Sequence, residues 1–315
     1  MMNSLPINRN SKWIIFLAFA AIYIVWGSTY LAILIGLKGL PPLLLCSFRF
    51  LFAGPLLLGW CLWRGEKLPS VQSVRINTIC GILLLCGGVG SVSWAEQYLP
   101  SSFAAIIVAA LPFWFILLDK KQWSFYFSNK FIILGLVLGF AGVVLLVGFD
   151  QTLHSTVGKT GKEIIGCLVI LAGGICWASG SLFSKYKKTG SSVLMNGAMQ
   201  LIIAGLFSLL LSGLAGEWNN FQFRQVSAEA WLALLYLIIM GSIITYLSYL
   251  FLLKIRPAAQ VSTYVYVNPL VALLLGVLIA NEQVTRIKLI ALLVILSGVL
   301  MVNIPAYKTV SKNKS

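Results

Sequence analysis

Acidic side chains and histidines are scarce in this sequence. Its 315 residues include eight Asp and Glu and one histidine, His154. Catalytic and structural metal sites need several such ligands close together, whereas these residues are scattered along the chain. The sequence therefore predicts no bound metal, no other cofactor and no enzymatic activity.

Motifs for nucleotide binding and for thiol-bound metals are missing too. Gly158-Lys159-Thr160 matches the end of a phosphate-binding loop, but Leu153 occupies the position of the first glycine that such a loop requires. The six cysteines lie within apolar runs and lack the spacing of metal ligands. We expect no ATP site, and we expect the cysteines to pack as small apolar residues.

Long apolar runs dominate the chain, since 59% of its residues are hydrophobic and 10% are charged. A soluble domain cannot bury that much apolar surface, so the bilayer must be the solvent for most of the chain. Most runs hold about 20 residues, enough for a helix to cross roughly 30 Å of hydrocarbon. The sequence predicts an all-α integral membrane protein with ten transmembrane helices, at roughly 13–35, 43–63, 76–97, 102–118, 131–149, 164–184, 193–214, 230–252, 258–280 and 287–304.

Positive charge is plentiful and unevenly placed. Lys and Arg outnumber Asp and Glu by 23 to 8. If the runs cross alternately, sixteen of these cations lie on the side of the N terminus, six lie on the opposite side, and Arg49 lies inside a run. Cations favour the cytoplasmic face, so both termini are predicted to be cytoplasmic. The basic charge thus indicates membrane topology and not nucleic-acid binding.

Prolines and glycines recur with nearly the same spacing in the two halves. In each half a second proline follows the first by twelve residues, and a glycine follows 30 or 29 residues later. The two sets are Pro100, Pro112 and Gly142, and Pro257, Pro269 and Gly298. Five runs lie on each side of 150–163, and an odd number places two similar halves in opposite orientations. We expect two inverted five-helix repeats, at 13–149 and 164–304.

Several short stretches carry a family resemblance. They are Tyr23-Ile24-Val25-Trp26-Gly27-Ser28-Thr29-Tyr30, Arg49 and Ala109-Ala110-Leu111-Pro112 in the first half, and Cys176-Trp177-Ala178, Ser262-Thr263-Tyr264-Val265-Tyr266-Val267-Asn268-Pro269 and Asn281-Glu282 in the second. From about residue 13 to 304, the chain resembles the EamA family of the drug/metabolite transporter superfamily. The resemblance implies a ten-helix fold of two inverted repeats that exports or exchanges small metabolites through a central cavity. It also implies that helices five and ten can form a homodimer contact, although Gly135 and Gly139 suit intramolecular packing equally well.

Pro112 and Pro269 each lie near the middle of an apolar run. A proline inside a helix removes a hydrogen bond and frees a carbonyl. A freed carbonyl at bilayer depth needs protein or a wet cavity beside it. We interpret these prolines as hinges that bend the fourth and ninth helices around the cavity, with a static packing kink as the alternative.

Aromatic side chains deep within the runs are candidates for the wall of the cavity. Trp26 and Trp177, together with Trp114, can contact organic solutes, although packing against small residues explains them nearly as well. The candidate hydroxyl groups are those of Tyr30, Tyr246 and Tyr264. Tyr264 and Asn268 lie four residues apart and share a helix face, which we predict to contact the substrate.

Charged side chains inside apolar runs are rare and costly, so each is a functional candidate. Glu96 lies near the outer end of the third run. It could gate the cavity, bind an ammonium group or take up a proton. The alternative is that it is an ordinary carboxylate at the membrane interface. Arg49 can extend to the outer interface, and Lys185 suits a cytoplasmic anchor. Glu282 is expected to cap the last helix.

The sequence favours a secondary transporter that exports or exchanges small metabolites such as amino acids. Its partners are the small-molecule substrate and the lipid bilayer of a bacterial inner membrane, without nucleic acid. A phosphorylated-sugar or nucleotide-sugar exchanger is the alternative, but it needs several cations in the cavity, where only Arg49 and Lys185 are available. A membrane enzyme acting on lipid-linked substrates is a further alternative, which needs clustered Asp, Glu or His.

Overall fold

The computed structural model describes residues 9–149, 161–219, 221–256 and 261–312. Within these ranges the regular structure is helical throughout, without β-strands, which confirms the predicted all-α class. His154, Pro257 and Gly158-Lys159-Thr160, which the sequence singled out, lie outside the described residues.

Among the described residues, seven helices are long and apolar enough to cross a membrane, as expected of a multi-pass membrane protein. Numbered along the chain, they are α1 (Lys12–Gly36), α2 (Pro42–Trp63), α3 (Val71–Ala95), α4 (Ser101–Leu118), α6 (Lys162–Tyr186), α7 (Val193–Leu214) and α8 (Ala228–Ile255). Three further helices are α5 (Lys130–Phe149), α9 (Tyr264–Ala280) and α10 (Arg286–Lys312). A short helix, Trp123–Phe127, precedes α5.

Serine side chains begin three of the long helices. Ser70, Ser192 and Ser227 precede α3, α7 and α8, and each hydroxyl accepts the backbone N–H three residues further on. The three distances are 3.2, 3.0 and 3.2 Å. Such a cap satisfies one of the amides that a helix start leaves unpaired. α2 begins differently, because Pro41 and Pro42 offer no side-chain acceptor.

Three helices widen into a π-helical segment. These segments are Ala21–Val25 in α1, Gly81–Val89 in α3 and Leu237–Thr245 in α8. The segments of α3 and α8 have the same length, nine residues. π-Helical turns recur at functional sites because they displace backbone groups from the regular ladder, and residues of all three segments contact the cavity side chains described below.

Glycines bring α2 and α7 into backbone contact. A Cβ atom added to Gly54 would lie 2.8 Å from the Ile202 nitrogen, and one added to Gly205 would lie 3.0 Å from the Leu51 nitrogen. Only glycine permits such an approach. The two helices therefore cross near their centres, each contributing one glycine to the contact.

Glycines join α5 to α10 in the same way. A Cβ atom on Gly142 would lie 3.0 Å from the Ile295 nitrogen, and one on Gly298 would lie 2.7 Å from the Gly139 nitrogen. The glycine face predicted for α5 thus packs against α10 of the same chain.

The two helices with central prolines differ in their backbones. α4 consists of Ser101–Val108 and Leu111–Leu118, and Pro112 is the second residue of the second segment. α9 runs without interruption past Pro269, and its preceding turn lies at Ser262 and Thr263. The sequence predicted matching kinks in the middle of both helices. The structure shows instead a break in α4 and a continuous helix in α9.

Candidate functional site

A cavity of about 80 Å³ lies among α1, α2, α3, α4, α6 and α9. Its lining is mostly apolar with a few polar groups, and it consists of Trp26, Thr29, Tyr30, Ile33, Arg49, Gly88, Val89, Ser91, Val92, Val108, Leu111, Ile170, Gly173, Gly174, Trp177, Tyr264 and Asn268. Pockets that enclose organic ligands usually measure roughly 300–1,000 Å³. The helices must therefore move apart before this cavity can enclose an organic ligand of that size.

Four aromatic rings close one end of the cavity. The Trp26 ring centroid lies 5.4 Å from that of Trp177, 5.2 Å from that of Tyr249 and 5.1 Å from that of Tyr264. The Trp177 and Tyr249 centroids lie 5.2 Å apart. Edge-to-face and tilted rings at these separations attract one another. We call Trp26, Trp177, Tyr249 and Tyr264 the aromatic cluster.

A wide basic vestibule of about 810 Å³ lies beyond the aromatic cluster. On α6, Trp177 contributes to the cluster and Lys185, eight residues further on, lines the vestibule, which is a separation of roughly 12 Å along a helix. The vestibule cations are Lys185, Lys187, Lys188, Lys254 and Arg256. The aromatic cluster therefore separates a small apolar cavity from a large basic one.

A neutral polar network joins α3, α7 and α8 on the vestibule side of the cluster. Asn77 Nδ2 donates to Asn196 Oδ1 at 2.9 Å, and Gln200 Nε2 donates to Asn77 Oδ1 at 2.8 Å. The Tyr246 hydroxyl donates to Gln200 Oε1. Asn196 and Gln200 thus join α7 to its neighbouring helices, while Tyr246 lies in this network and outside the cavity lining.

Arg49 lines the central cavity instead of extending to the outer interface. Its side chain is 4% exposed, and its Nε donates to Ser242 Oγ in the π-helical segment of α8 at 2.6 Å. No ion pair holds this guanidinium in the described ranges. A buried cation without a carboxylate partner is costly, so Arg49 is a cavity residue that can receive an anionic group. The sequence left both the outer interface and the cavity open for Arg49, because depth alone does not show which way a side chain points.

Asn268 and Tyr264 both line the cavity, on the face that the sequence singled out. With its amide nitrogen turned toward α1, Asn268 donates to the carbonyl oxygens of Tyr23 and Ile22 at 2.8 and 3.0 Å. Both carbonyls belong to the π-helical segment of α1. Asn268 therefore ties α9 to α1 beside Pro269.

Glu96 lies apart from the central cavity. It lines a larger cavity of about 1,120 Å³ among α1, α8 and α9. The residue is 3% exposed, and neither carboxylate oxygen has a hydrogen-bond partner in the part of the chain that the structure describes. Tyr30 and Glu282 lie close enough to interact electrostatically with it. An unpaired buried carboxylate favours uptake of a proton or of a cationic group.

Trp114 stands behind the cavity wall. A Cβ atom on Gly174 would lie 2.7 Å from the Trp114 ring, and Gly174 itself lines the cavity. The indole also lines a separate apolar pocket with Cys167 and Leu171. The structure therefore brings Trp26, Tyr30, Trp177, Tyr264 and Asn268 together and places Trp114, Glu96 and Tyr246 around them.

Two carboxylates that join distant helices escaped the sequence reasoning. Glu217 accepts the N–H groups of Leu43 and Leu44 at the start of α2. Glu282, which was expected to cap the last helix, accepts the N–H groups of Ser101 and Ser102 at the start of α4 at 2.8 and 3.1 Å. The partners lie more than 170 residues apart in sequence, so no local pattern could have indicated either contact.

The residues that the structure describes contain no group of three or more His, Cys, Asp or Glu that could hold a metal ion. The cavity offers instead aromatic faces, one guanidinium and a few hydrogen-bonding groups. This set can bind an organic solute and orient its polar end.

Two segments of the chain, residues 11–148 and 164–304, match the model of the EamA-like transporter family. The chain is 36% identical over 294 residues to the uncharacterized inner membrane transporter YedA of Escherichia coli K12, covering 93% of this chain and 92% of that protein. It is 29% identical over 307 residues to the uncharacterized transporter YvbV of Bacillus subtilis, covering 96% and 94%. A solved structure described as "Crystal structure of protein" has this fold, with a TM-score of 0.64 at 20% identity, covering 92% of this chain and 98% of its own. This chain therefore belongs to the EamA-like transporter family.

Proposed function

We propose that this protein is a secondary transporter that exports or exchanges small metabolites such as amino acids. It works by alternating access around the central cavity, with ten transmembrane helices in two inverted five-helix repeats. Both termini lie in the cytoplasm of a bacterial cell, and the chain crosses the inner membrane. A homodimer through α5 and α10 remains a prediction.

Matching contacts support the inverted repeat. Gly54 packs on Ile202, and Gly205 packs on Leu51, and both second-half residues lie 151 positions after their first-half counterparts. The family model also matches each half separately. A contact and its mirror between one pair of helices is what a two-fold relation between the halves produces.

The observation that carries the transport proposal is the aromatic cluster between two cavities. Trp26 and Trp177 come from α1 and α6, and Tyr249 and Tyr264 come from α8 and α9. A shift of these helices that separates the rings connects the cavity to the basic vestibule. Such a barrier, built from both halves at a central site, is what alternating access requires.

The cavity lining suggests the chemistry of the cargo. Arg49 offers a buried positive charge, and Trp26 and Trp177 offer aromatic faces. A solute with a carboxylate and a compact apolar body would pair with the guanidinium and cover the rings. Amino acids and related organic acids fit this description.

A second candidate is an exchanger of phosphorylated sugars or nucleotide sugars. The basic vestibule favours it, because five cations line that space. Phosphate groups need several such partners. Among the described residues, however, Arg49 is the one cation that lines the central cavity. This candidate therefore ranks second.

Counterflow in proteoliposomes tests both candidates. The full-length protein is reconstituted, and the vesicles are screened against amino acids, organic acids and phosphorylated sugars beside a working control transporter. Substrate-dependent flux of a carboxylate-bearing metabolite supports the first candidate, and flux of phosphorylated sugars alone supports the second. Flux of no compound counts against transport.

Two variants test the site itself. Tyr264→Ala and Asn268→Ala should each reduce flux by about tenfold or more, because each loses a cavity contact. Immunoblots of membrane fractions should show unchanged abundance. Leu278→Ala, on the exposed surface of α9, is the matched control and should transport as the unmodified protein does. Normal flux in both site variants would remove this helix face from the site.

A further inference from the structure

Two glutamates occupy matching positions at opposite ends of the α2–α7 pair. α2 is followed by Gly65 and Glu66, and α7 is followed by Gly216 and Glu217. Both glycines have positive φ angles, 78° and 71°, which a left-handed helix end requires. The same terminating sequence thus ends both helices.

The hydrogen bonds of the two ends also match. The Glu66 N–H donates to the Cys61 carbonyl at 3.0 Å, and the Glu217 N–H donates to the Ser212 carbonyl at 3.1 Å. The Cys61 thiol interacts with the Glu66 carboxylate, and Ser212 Oγ donates to Glu217 Oε2 at 2.8 Å. Each residue of the second end follows its counterpart by 151 positions. The two ends are therefore one structural unit used twice.

Glu217 reaches the partner helix. Its Oε1 accepts the Leu43 N–H at 3.1 Å, and its Oε2 accepts the Leu44 N–H at 2.9 Å. Pro41 cannot cap α2 itself, so Glu217 supplies both the acceptors and the negative charge that a helix start favours. This contact ties the C-terminal end of α7 to the N-terminal end of α2.

Glu66 does not occupy the equivalent site on α7 in this structure. The counterparts of the two capped amides belong to Leu194 and Met195, 151 positions later. Here the Ser192 hydroxyl accepts the Met195 N–H at 3.0 Å. Across the described ranges, no hydrogen bond joins the Glu66 carboxylate to α7. A serine cap thus holds α7 while the glutamate is elsewhere.

α2 and α7 cross at a point midway between the helix ends near Glu66 and the helix ends near Glu217. Gly54 and Ile202 each lie nine residues from the ends near Glu66, and Leu51 and Gly205 each lie nine residues from the ends near Glu217. Nine residues correspond to about 14 Å of helix. A tilt of one helix against the other about this crossing, in the plane that contains both axes, therefore moves one glutamate toward its amides as it withdraws the other.

We propose that Glu66 and Glu217 are alternating helix caps that position α2 and α7 during transport. Glu217 holds α2, as it does in this structure, when the outer ends of α2 and α7 are drawn together. When the inner face closes, Glu217 releases α2, and Glu66 accepts the Leu194 and Met195 amides in place of Ser192. The proposal rests on the alternating access proposed above.

Hydrogen–deuterium exchange of the full-length protein in nanodiscs, without substrate, tests this alternation. Peptides 92–104 report the outer face and peptides 184–200 report the inner face. Glu217→Gln should raise outer exchange and lower inner exchange, each by roughly tenfold, since it removes a charged cap from one of two states. Glu66→Gln should do the reverse. Opposite shifts are the result that a merely structural role cannot give, because simple destabilisation raises exchange at both faces.

Controls keep the test decisive. Glu229→Gln removes an exposed acid at the first turn of α8 and should change neither face. If Glu217→Gln folds poorly, Ser212→Ala takes its place. This variant removes one of the hydrogen bonds to Glu217 and should shift exchange in the same direction by a smaller amount. Unchanged exchange in Glu66→Gln, or shifts of the same sign in both glutamate variants, would overturn the proposal. Opposite shifts in a protein without flux would uphold the caps while rejecting the transport function.

Discussion

The two halves of this protein place different chemistry at matching positions of α2 and α7. Arg49 in α2 and Gln200 in α7 lie 151 residues apart, and both are buried. Arg49 faces the cavity and bonds to α8, whereas Gln200 belongs to the neutral network with Asn77 and Tyr246. Related backbones thus place a charged group on the central-cavity side of the aromatic cluster and an uncharged hydrogen-bond network on its vestibule side. A repeated frame does not imply a repeated site.

The proline helices differ in the same manner. Pro112 begins the second segment of a broken helix, whereas Pro269 lies inside a continuous one. Leu111 precedes the first proline, and Asn268 precedes the second and binds carbonyls of α1. The hydrogen bonds of Asn268 hold α9 against α1, and α4 and α9 follow different backbone paths although their prolines have the same spacing.

The largest expected effect comes from making Arg49 resemble its counterpart. Arg49→Gln should lower the flux of carboxylate-bearing cargo by about 100-fold, since removing one member of a buried charge pair costs that much. Proteoliposome flux at matched protein abundance measures the loss. Arg49→Lys keeps the charge without the planar fork and should retain partial flux. Equal flux in Arg49→Gln and the unmodified protein would mean that the cation does not bind cargo.

Replacing each proline by alanine should affect transport differently in α4 and in α9. Pro269→Ala restores an N–H for the Val265 carbonyl and so stiffens α9 with one more hydrogen bond, and flux should fall by roughly tenfold. Pro112→Ala should change flux by less than about twofold, because a second helical residue has no intrahelical acceptor to serve. Parallel flux assays compare the two variants. Equal losses would show that both prolines act as hinges of the same kind.

The glycine contacts of α5 and α10 should differ in stability. A Cβ on Gly298 meets backbone atoms of Gly135 and Gly139, whereas the nearest atom to one on Gly142 belongs to the Ile295 side chain. Backbone cannot move aside as a side chain can, so Gly298→Ala should cost about 1–3 kcal/mol and Gly142→Ala less. Thermal unfolding in detergent gives both values. A larger loss in Gly142→Ala would contradict the packing described here.

The smallest effect is expected where the halves are alike. Ser70 and Ser227 cap α3 and α8 with the same 3.2 Å bond. Ser70→Ala and Ser227→Ala should each destabilise the protein by about 1 kcal/mol. Thermal unfolding should show similar shifts, with Ser248→Ala on the exposed face of α8 as the control. Clearly unequal shifts would show that the two helix starts are not equivalent.

Part of the site followed from the sequence, and part did not. Tyr264 and Asn268 were predicted on one cavity face because a four-residue spacing fixes a shared helix face. Arg49 was left open between the interface and the cavity, since its depth in the run is local information but its direction depends on how α2 is rotated against α8. Glu282 was assigned to the wrong helix because its partner amides, those of Ser101 and Ser102, are 181 and 180 residues away in sequence.

The sequence by itself determined the membrane class, the all-helical structure and the repeated spacing of prolines and glycines. Hydrocarbon admits few structures other than helices whose backbone bonds are internal, so apolar length alone was enough. Tertiary structure decided which charges meet the cavity, which carboxylate caps which helix, and how each proline helix runs. Those outcomes depend on close approach between helices from different halves, such as Gly54 against Ile202, and hydropathy along a single helix carries no record of its neighbours.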